Sequence, residues 1–385
     1  MIRPGEAPIS KSVCQWQGGK PLERVFVFGD KKITDDSSPF VIAEVGHNHQ
    51  GNLERCKAIF HAAAEAGADA VKIQKRDNRT LFTREMYDSH YDSENAYGPT
   101  YGTHREFLEF DAAQYRELKE YCDKIGILFF STAFDDAAAD FLAELDMPGY
   151  KIASGDLANI ALLKKVAAFG KPIIVSTGGA TMEDVRRAYD AIMPINSNLC
   201  IMQCTSGYPP PHEELNLRVI ETFRNAFPDI VIGFSSHDSG IAMPLVGYML
   251  GARVFEKHFT LNRAWKGTDQ AFSLEPAGLK RVVRDLERAR IALGNGIKTP
   301  YPSETSPLNK MVKRVVAARE LPAGTVLSAD DLAFRIPVSA KITAATLRPF
   351  EAEQLVGRLL TRSVSAEELV TLADVGIGEG DAVAV

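Results

Sequence analysis

Several protein classes are excluded by what the sequence lacks. Only five of its 385 residues are cysteine, an odd number at scattered positions (14, 56, 122, 200 and 204), so a disulfide framework is not expected. No apolar run approaches the roughly 20 residues that cross a bilayer. The N-terminus lacks the charged-then-apolar order of a signal peptide. We therefore expect a cytoplasmic protein with reduced thiols and no membrane partner.

The chain also lacks an excess of basic residues. Its 44 lysines and arginines are outnumbered by 50 aspartates and glutamates, which gives a formal net charge of −6. A nucleic-acid-binding surface needs clustered excess positive charge, so no nucleic-acid partner is expected. A local basic pocket for a small anion remains compatible with this composition.

Eight short apolar runs alternate with amphipathic segments in the central part of the chain. They are residues 40–46, 70–74, 127–132, 149–154, 172–177, 199–204, 231–236 and 254–259. Continuous apolar strands that are each followed by a helix predict a parallel sheet covered on its outer face. Eight units in about 255 residues match an α/β (β/α)8 TIM barrel. A doubly wound open sheet is the alternative, but no G-x-G-x-x-G follows the first run.

Changes in composition predict the domain boundaries. Residues 1–38 form a polar N-terminal extension, in which only Arg24–Gly29 suggests a strand that closes the bottom of the barrel. The barrel occupies residues 39–296, and a linker rich in proline, serine and threonine occupies 297–311. Residues 312–385 form a small second domain with a weak internal repeat, in which 319–332 recurs in rhythm as 362–375 with arginine, alanine and aspartate at fixed offset.

One connection inside the barrel is too long for a simple loop. Residues 76–110 are rich in tyrosine, histidine and charge, and they include Tyr97, Tyr101, His104 and Arg105. Loops of this length in compact domains are usually functional lids or disordered segments. The aromatic content favours a lid.

The first apolar run contains one carboxylate, Glu44, followed by His47, Asn48 and His49. A charge in an apolar strand is unfavourable unless it has a partner or a function. Glu44 is therefore either half of a buried ion pair or a group that points into a site. The histidine pair beside it is expected to shape the loop or to contact substrate.

Active sites of (β/α)8 barrels lie at the carboxyl ends of the strands. Polar side chains end every predicted strand here, and lysines and hydroxyls dominate the set. Lys72 and Lys151 with these hydroxyls are typical of a cradle for phosphate and carboxylate groups. The alternative is that the lysines pair with Glu44 or Glu256 inside the barrel.

Two histidines, His237 and His258, end the seventh and eighth predicted strands, which are neighbours. Two imidazole nitrogens with open water positions suit a divalent ion that acts as a Lewis acid. Cys200 and Cys204 are interpreted as packing residues within a strand.

These motifs together resemble the sialic acid synthases. The resemblance is carried by IAEVGHNHQGN, AVKIQ, STAFD, YKIASGD, STGG, QCTSGYPPP, GFSSH and EKHFTL followed by GTDQAFSLEP, and it extends from residue 40 to about 375. Members of this family condense phosphoenolpyruvate with an N-acetylmannosamine-type sugar. The tail resembles the antifreeze-like SAF domain appended to these barrels.

The resemblance implies a role for each matching position. The catalytic acid falls on Glu44, and the metal ligands, for Mn²⁺ or Mg²⁺, fall on His237 and His258. The phosphoenolpyruvate-binding residues fall on Lys72, Thr132, Lys151, Ser154, Ser176, Ser206 and Ser235. The sugar contacts fall on Gln74, Asp156, Tyr208, Asp269 and, from the small domain of a partner subunit, Arg335. The last contact implies a domain-swapped homodimer.

Departures from the family pattern lie mainly among the residues that the resemblance assigns to the acceptor sugar. Asp156 stands where several members have glutamate, and Arg335-Ile336-Pro337 stands where Arg-Pro-Gly is usual. The acceptor therefore stays open among N-acetylmannosamine, its 6-phosphate and diacetamido-trideoxyhexoses. Alternatives are an enzyme that makes a shorter 3-deoxy-2-keto acid, an inactive sugar-binding barrel, and a tail that binds ice or glycans.

Overall fold

A computed structural model describes residues 23–377, so residues 1–22, with Cys14, and residues 378–385 lie outside the described residues. The chain separates into two compact units, Met1–Gly294 and Asn295–Val385. No helix between residues 23 and 377 is both long and apolar enough to cross a membrane.

The first element of the first unit within the described residues is an antiparallel hairpin of β1 (Phe26–Phe28) and β2 (Lys31–Ile33). The ring of Phe28 lies 4.8 Å from the ring of Phe130 and 5.6 Å from that of Phe40, between ring centroids. Phe40 starts a barrel strand, so the hairpin covers the end of the barrel opposite the carboxyl ends. A strand in this place matches the prediction for Arg24–Gly29.

The hairpin is followed by a closed barrel of eight parallel strands. They are β3 (Phe40–Gly46), β4 (Ala70–Lys75), β5 (Leu128–Ala133), β6 (Tyr150–Ile152), β7 (Ile173–Ser176), β8 (Leu199–Cys204), β9 (Val231–Ser236) and β10 (Val254–His258). Each strand pairs with the next along the chain, and β10 pairs with β3 to close the barrel. The predicted (β/α)8 barrel is confirmed, and the open-sheet alternative is wrong.

Helices cover the outer face of the barrel. They are α1 (Leu53–Glu65), α5 (Ala112–Ile125), α6 (Asp136–Glu144), α7 (Ile160–Ala168), α8 (Met182–Ile192), α9 (Val219–Ala226), α10 (Ala242–Met249) and α11 (Pro276–Leu293). Three short helices, α2 (Asn78–Leu81), α3 (Arg84–Asp88) and α4 (Tyr101–Leu108), lie instead in the lid segment between β4 and α5. Side-chain caps fix where several of them start. Thr181 and Asp184 form the capping box that opens α8, as the sequence predicts.

The segment between β4 and α5 folds over the carboxyl ends of the strands. Within this segment, the ring of Tyr97 stacks on the ring of Phe107, with the two centroids 5.0 Å apart. The Tyr97 hydroxyl donates to the carbonyl of Lys266 at 2.9 Å, and the amide of Gly267 donates to Asn95 Oδ1 at 2.8 Å. These bonds tie the predicted lid to the loop that follows β10.

The second unit contains α12 (Thr305–Asn309), which falls within the predicted linker, and the antiparallel pair β11 (Arg314–Ala317) and β12 (Leu332–Arg335). The sequence repeat is visible as two equivalent ion pairs. Arg319 lies 2.6 Å from Asp331, and Arg362 lies 2.6 Å from Asp374. Each aspartate also completes a capping box, so the repeat reflects the same turn built twice.

Candidate active site

The carboxyl ends of the barrel strands surround a cavity of about 500 Å³. Most of the side chains predicted from the sequence line it. They are Glu44, Lys72, Gln74, Thr132, Lys151, Ser154, Ser176, Ser206, Tyr208, Ser235, His237, His258 and Asp269.

Glu44 and Lys72 lie side by side on β3 and β4, and their carboxylate and ammonium groups are in direct contact. Glu44 also accepts from Gln74 Nε2 at 2.8 Å, and Lys72 donates to Thr132 Oγ1 at 2.7 Å. Burial raises the pKa of Glu44, and the charge of Lys72 opposes this. Glu44 is thus both half of a buried ion pair and part of the cavity wall.

The geometry of β3 brings this carboxylate to the cavity. A register irregularity separates Glu44 from Gly46, whose φ is +53°. A side chain at Gly46 would be strained by this φ, and its Cβ would lie 3.0 Å from Asp269 Oδ2 and 3.2 Å from Glu44 Oε1. Glycine therefore lets the chain turn away immediately after the carboxylate.

Lys151 and Glu256 form the second half of the charged cluster. Lys151 donates to Ser176 Oγ at 2.6 Å, and its Nζ lies 3.9 Å from Glu256 Oε1. Glu256 Oε2 lies 3.9 Å from Lys72 Nζ, so one carboxylate serves both lysines. Burial lowers the pKa of Lys151, while the two lysines lower the pKa of Glu256 against the opposing effect of burial. The four charges balance.

The two predicted metal ligands lie next to each other, with ring centroids 5.3 Å apart. His237 Nδ1 faces the carbonyl of Thr205 at 2.9 Å, which leaves Nε2 free to bind a ligand. His258 Nδ1 is buried without a hydrogen-bond partner, 3.7 Å from Asp269 Oδ2. Burial lowers the pKa of His258 to about 3, so its ring is neutral and can ligate.

These residues fit a divalent ion that takes two protein nitrogens and completes its shell with oxygen atoms. Within residues 23–377, no group of three or more histidine, cysteine, aspartate or glutamate side chains has a metal-binding arrangement. Any ion held here would therefore depend on water or substrate oxygens for most of its ligands.

Cys204 corrects one interpretation made from the sequence. It lines the cavity, and its Sγ lies 3.9 Å from His237 Nδ1. Burial favours a lower pKa for His237, but Cys204, the carbonyl of Thr205 and the charge of Glu256 together raise that pKa above its usual value. Cys204 is therefore part of the site and not only a packing residue, whereas Cys200 is fully buried.

Two of the predicted sugar contacts do not line this cavity. Asp156 ends a short 3₁₀ turn, Ser154–Asp156, whose other two residues do line it. Burial raises the pKa of Asp156 to about 6. Arg335 belongs to the second unit, where it is exposed and lies 3.3 Å from Glu367. The contact of either residue with a sugar stays a prediction.

From the sequence, Arg76 and Arg105 are placed only in the lid segment 76–110 and Phe134 is given no role, although all three line the cavity. Arg76 follows β4 at the same spacing of two that separates Lys72 from Gln74. This spacing could have predicted that Arg76 lines the cavity, because side chains two positions apart on an extended chain lie on the same face. Arg105 reaches the cavity from α4, through a tertiary contact that spacing does not reveal.

The fold and the site define a (β/α)8 barrel with a charged cavity at the carboxyl ends of its strands. Residues 59–298 match the NeuB family, and residues 312–376 match the SAF domain. The chain therefore belongs to the NeuB family of sialic acid synthases and carries a C-terminal SAF domain.

Individual relatives support this assignment. The chain is 42% identical over 297 residues to the N-acetylneuraminate-9-phosphate synthase of Homo sapiens, a match that covers 77% of this chain and 83% of that protein. It is 34% identical over 336 residues to the N,N'-diacetyllegionaminic acid synthase of Legionella pneumophila, covering 85% and 92%. A crystal structure of N-acetylneuraminic acid synthetase from Leptospira borgpetersenii, in complex with citrate, matches with a TM-score of 0.66 at 32% identity, covering 74% of this chain and 95% of that one.

Proposed function

We propose that this protein condenses phosphoenolpyruvate with an acylamino sugar related to N-acetylmannosamine, forming a nonulosonic acid and inorganic phosphate. The observation that carries the proposal is the balanced cluster of Glu44, Lys72, Lys151 and Glu256 beside the His237–His258 pair, all in one cavity of a NeuB-family barrel.

The lysine side of the cavity suits phosphoenolpyruvate. Lys72 and Lys151 supply positive charge, and the hydroxyl oxygens of Thr132 and Ser176 accept hydrogen bonds from them. Ser154 Oγ accepts from the amide of Gly178 at 2.9 Å, which fixes the orientation of this hydroxyl. Lysines surrounded by oriented hydroxyls bind phosphate and carboxylate groups together.

The opposite side suits the acceptor sugar. Gln74, Tyr208 and Asp269 offer an amide, a phenol and a carboxylate to sugar hydroxyls. His237 and His258 would hold the divalent ion, Mn²⁺ or Mg²⁺. When bound, such an ion supplies Lewis-acid polarisation of a carbonyl oxygen.

Glu44 lies between these two halves, because it contacts Lys72 on one side and Gln74 on the other. In the proposed reaction, C3 of phosphoenolpyruvate attacks the sugar aldehyde and positive charge develops at C2. Glu44 stabilises that charge or moves a proton. Water then adds to C2, and phosphate leaves with cleavage of the C–O bond.

The proposal includes a domain-swapped homodimer in which Arg335 of one subunit reaches the sugar bound by its partner. It is supported by the exposure of Arg335 and by the SAF domain that carries it. A guanidinium group has the donors to bind the oxygen of an acyl group.

The direct test is a phosphate-release assay with phosphoenolpyruvate and a panel of acceptors, with the mass of each product determined. The panel contains N-acetylmannosamine, its 6-phosphate, a diacetamido-trideoxyhexose and aldoses without an acylamino group. Phosphate release with acylamino sugars alone supports the proposal. Release with simple aldoses alone would instead indicate an enzyme that makes shorter 3-deoxy-2-keto acids.

A further inference from the structure

We propose that Arg76 and Arg105 form a second anion site in the cavity, which binds the phosphate monoester of a phosphorylated acylamino sugar. The inference rests on the proposed function and narrows its acceptor to a sugar phosphate.

Arg76 is buried at the cavity wall without a carboxylate partner. Its side chain spans the face of Phe134, with the guanidinium carbon 3.7 Å from the ring centroid. Nη1 lies 3.1 Å from His47 Nε2, and Nη2 donates to Gln74 Oε1 at 2.7 Å. Both of these partners are neutral groups, so the residue is only 8% exposed yet keeps its charge unpaired.

Arg105 approaches from the lid. It lies on α4, its Nη2 donates to the hydroxyl of Tyr101 at 2.8 Å, and Nη1 lies 3.3 Å from His47 Nδ1. Its Nε is buried and has no hydrogen-bond partner. An orphaned donor of this kind indicates a missing acceptor.

His47 cannot satisfy both arginines. Arg76 contacts one ring nitrogen and Arg105 contacts the other. Burial and the two guanidinium groups lower the pKa of His47, so the ring is neutral and only one of its nitrogens can accept. One arginine therefore faces an N–H group, and an anion between the guanidinium groups would supply the acceptor it lacks.

The charge balance of the cavity also supports an anion site at Arg76 and Arg105. Lys72 and Lys151 are matched by Glu44 and Glu256. Between residues 23 and 377, no carboxylate oxygen lies within 4.0 Å of a guanidinium nitrogen of Arg76 or Arg105. The backbone amide of Arg76 donates to Glu109 Oε2 at 3.2 Å, and the carboxylates of Glu109 and Asp269 act on the Arg76 guanidinium only from a longer distance. The two guanidinium groups therefore have no carboxylate in direct contact. Two guanidinium groups match the charge and the fork geometry of a phosphate monoester.

The position of the pair favours the sugar over phosphoenolpyruvate. Arg76 bonds directly to Gln74, which the proposed function assigns to the sugar, and the lysine cradle lies beyond Gln74 and Glu44. Asp269, also assigned to the sugar, is near enough to act on the pKa of Arg76. The two anions of the reaction would then bind at separate places.

The test compares kcat/KM for N-acetylmannosamine 6-phosphate with kcat/KM for N-acetylmannosamine, at saturating phosphoenolpyruvate. We expect the wild-type protein to prefer the phosphorylated sugar by about a hundredfold or more, because two charge-assisted contacts are added. Arg105→Gln should lower that ratio about tenfold or more, and Arg105→Lys should restore part of it. Arg79→Gln changes an exposed arginine of the same lid that pairs with Glu106, and the ratio should stay at the wild-type value.

A calorimetric titration with the same two sugars, without phosphoenolpyruvate, gives a readout that does not require turnover. The phosphorylated sugar should bind the wild-type protein more tightly than the Arg105→Gln variant. A wild-type preference near one, or an equal ratio in wild-type and Arg105→Gln proteins, would overturn the inference. If no sugar releases phosphate while binding still depends on Arg105, the proposed function fails and the anion site stands.

Discussion

At the scale of single residues, Glu44 shows that a buried ion pair and a reactive role can coexist. Its carboxylate is 1% exposed and contacts Lys72, yet it also borders the cavity. An isolated buried charge is strongly disfavoured, so the lysine is what allows an ionised carboxylate to persist there. The structural partner therefore preserves the charge that the proposed chemistry uses.

Replacing Glu44 with glutamine should abolish most phosphate release and leave the fold intact. Glutamine has nearly the same shape, and Lys72 keeps its contacts with Thr132 and Glu256. We expect kcat to fall by about 10²- to 10⁴-fold, the usual contribution of a general acid–base group. Phosphate release and circular dichroism measure the two parts of this prediction.

The matched control is Glu65→Gln on the exposed face of α1, which should behave as the wild-type protein. A Glu44→Gln variant with full activity would remove Glu44 from the mechanism. An unfolded variant would show instead that the ion pair is needed for the fold.

Asp156 allows a prediction about pH. Its pKa is raised to about 6 by burial, so the carboxyl gains a proton as the pH falls through 6. If the ionised form accepts a hydrogen bond from a sugar hydroxyl, kcat/KM for the sugar should fall below that pH. In the Asp156→Asn variant this fall in kcat/KM at low pH should be absent. The measurement is kcat/KM for the sugar from pH 5 to 8, for both proteins.

A different result would show that Asp156 has no contact with the sugar. That conclusion follows if the Asp156→Asn variant shows the same fall in kcat/KM at low pH and the same KM for the sugar as the wild-type protein. That result would agree with its position outside the cavity lining.

Many residues of the site could be predicted one by one, because the carboxyl ends of all the barrel strands surround the same cavity. Glu44, Lys72 and Lys151 follow from that rule alone. Arg105 did not, because its partner His47 lies 58 positions away in the sequence. Cys204 was assigned to packing because an apolar strand pattern does not show which buried residue borders a cavity.

At the scale of elements, the lid between β4 and α5 determines how Arg105 reaches the cavity. The helices α2, α3 and α4 have 4, 5 and 8 residues. Helices this short are marginal alone, so caps and tertiary packing stabilise them. The sequence predicts the lid by its length and aromatic content, whereas the separate helices have too few turns to show a period.

The packing of α3 against α4 depends on Gly102. A methyl group at this position would overlap the ring of Tyr87. Gly102→Ala should therefore shift α4 and displace Arg105. We expect the KM for the sugar to rise several-fold while the KM for phosphoenolpyruvate changes little, because the lysine cradle lies on the barrel strands.

Steady-state kinetics with each substrate varied in turn measures this difference. Met86→Ala is a suitable control, because it changes an exposed side chain on the same lid. Equal increases in both KM values would contradict the assignment of the lid to the sugar side.

At the scale of the whole molecule, the proposed exchange of small domains makes each active site depend on two subunits. The sequence predicts the two domains from a change in composition and from the internal repeat. It cannot predict from composition which subunit supplies Arg335, because that depends on an interface between separate chains.

Mixing two inactive variants tests the exchange. Glu44→Gln and Arg335→Gln proteins should each lose activity, and an equimolar mixture of the two should regain about a quarter of the wild-type activity. Half of the dimers in that mixture would be mixed, and each mixed dimer would carry one complete site of two. The mixture is compared with each variant alone after subunit exchange.

Arg358→Gln, on the same small domain, should be fully active alone. A mixture that gains no activity, although mass spectrometry detects mixed dimers, would place Arg335 in its own subunit's site or outside the mechanism.

The proposed condensation, with cleavage of the C–O bond of phosphoenolpyruvate, is tested most directly in oxygen-18 water. Phosphoenolpyruvate and N-acetylmannosamine 6-phosphate are the substrates, and the isotopic composition of the products is measured. We expect a nonulosonic acid phosphate and unlabelled inorganic phosphate, because the C–O bond breaks and the bridging oxygen leaves with phosphorus. Inorganic phosphate that carries solvent oxygen, or phosphate release without a condensed nine-carbon product, would contradict this expectation.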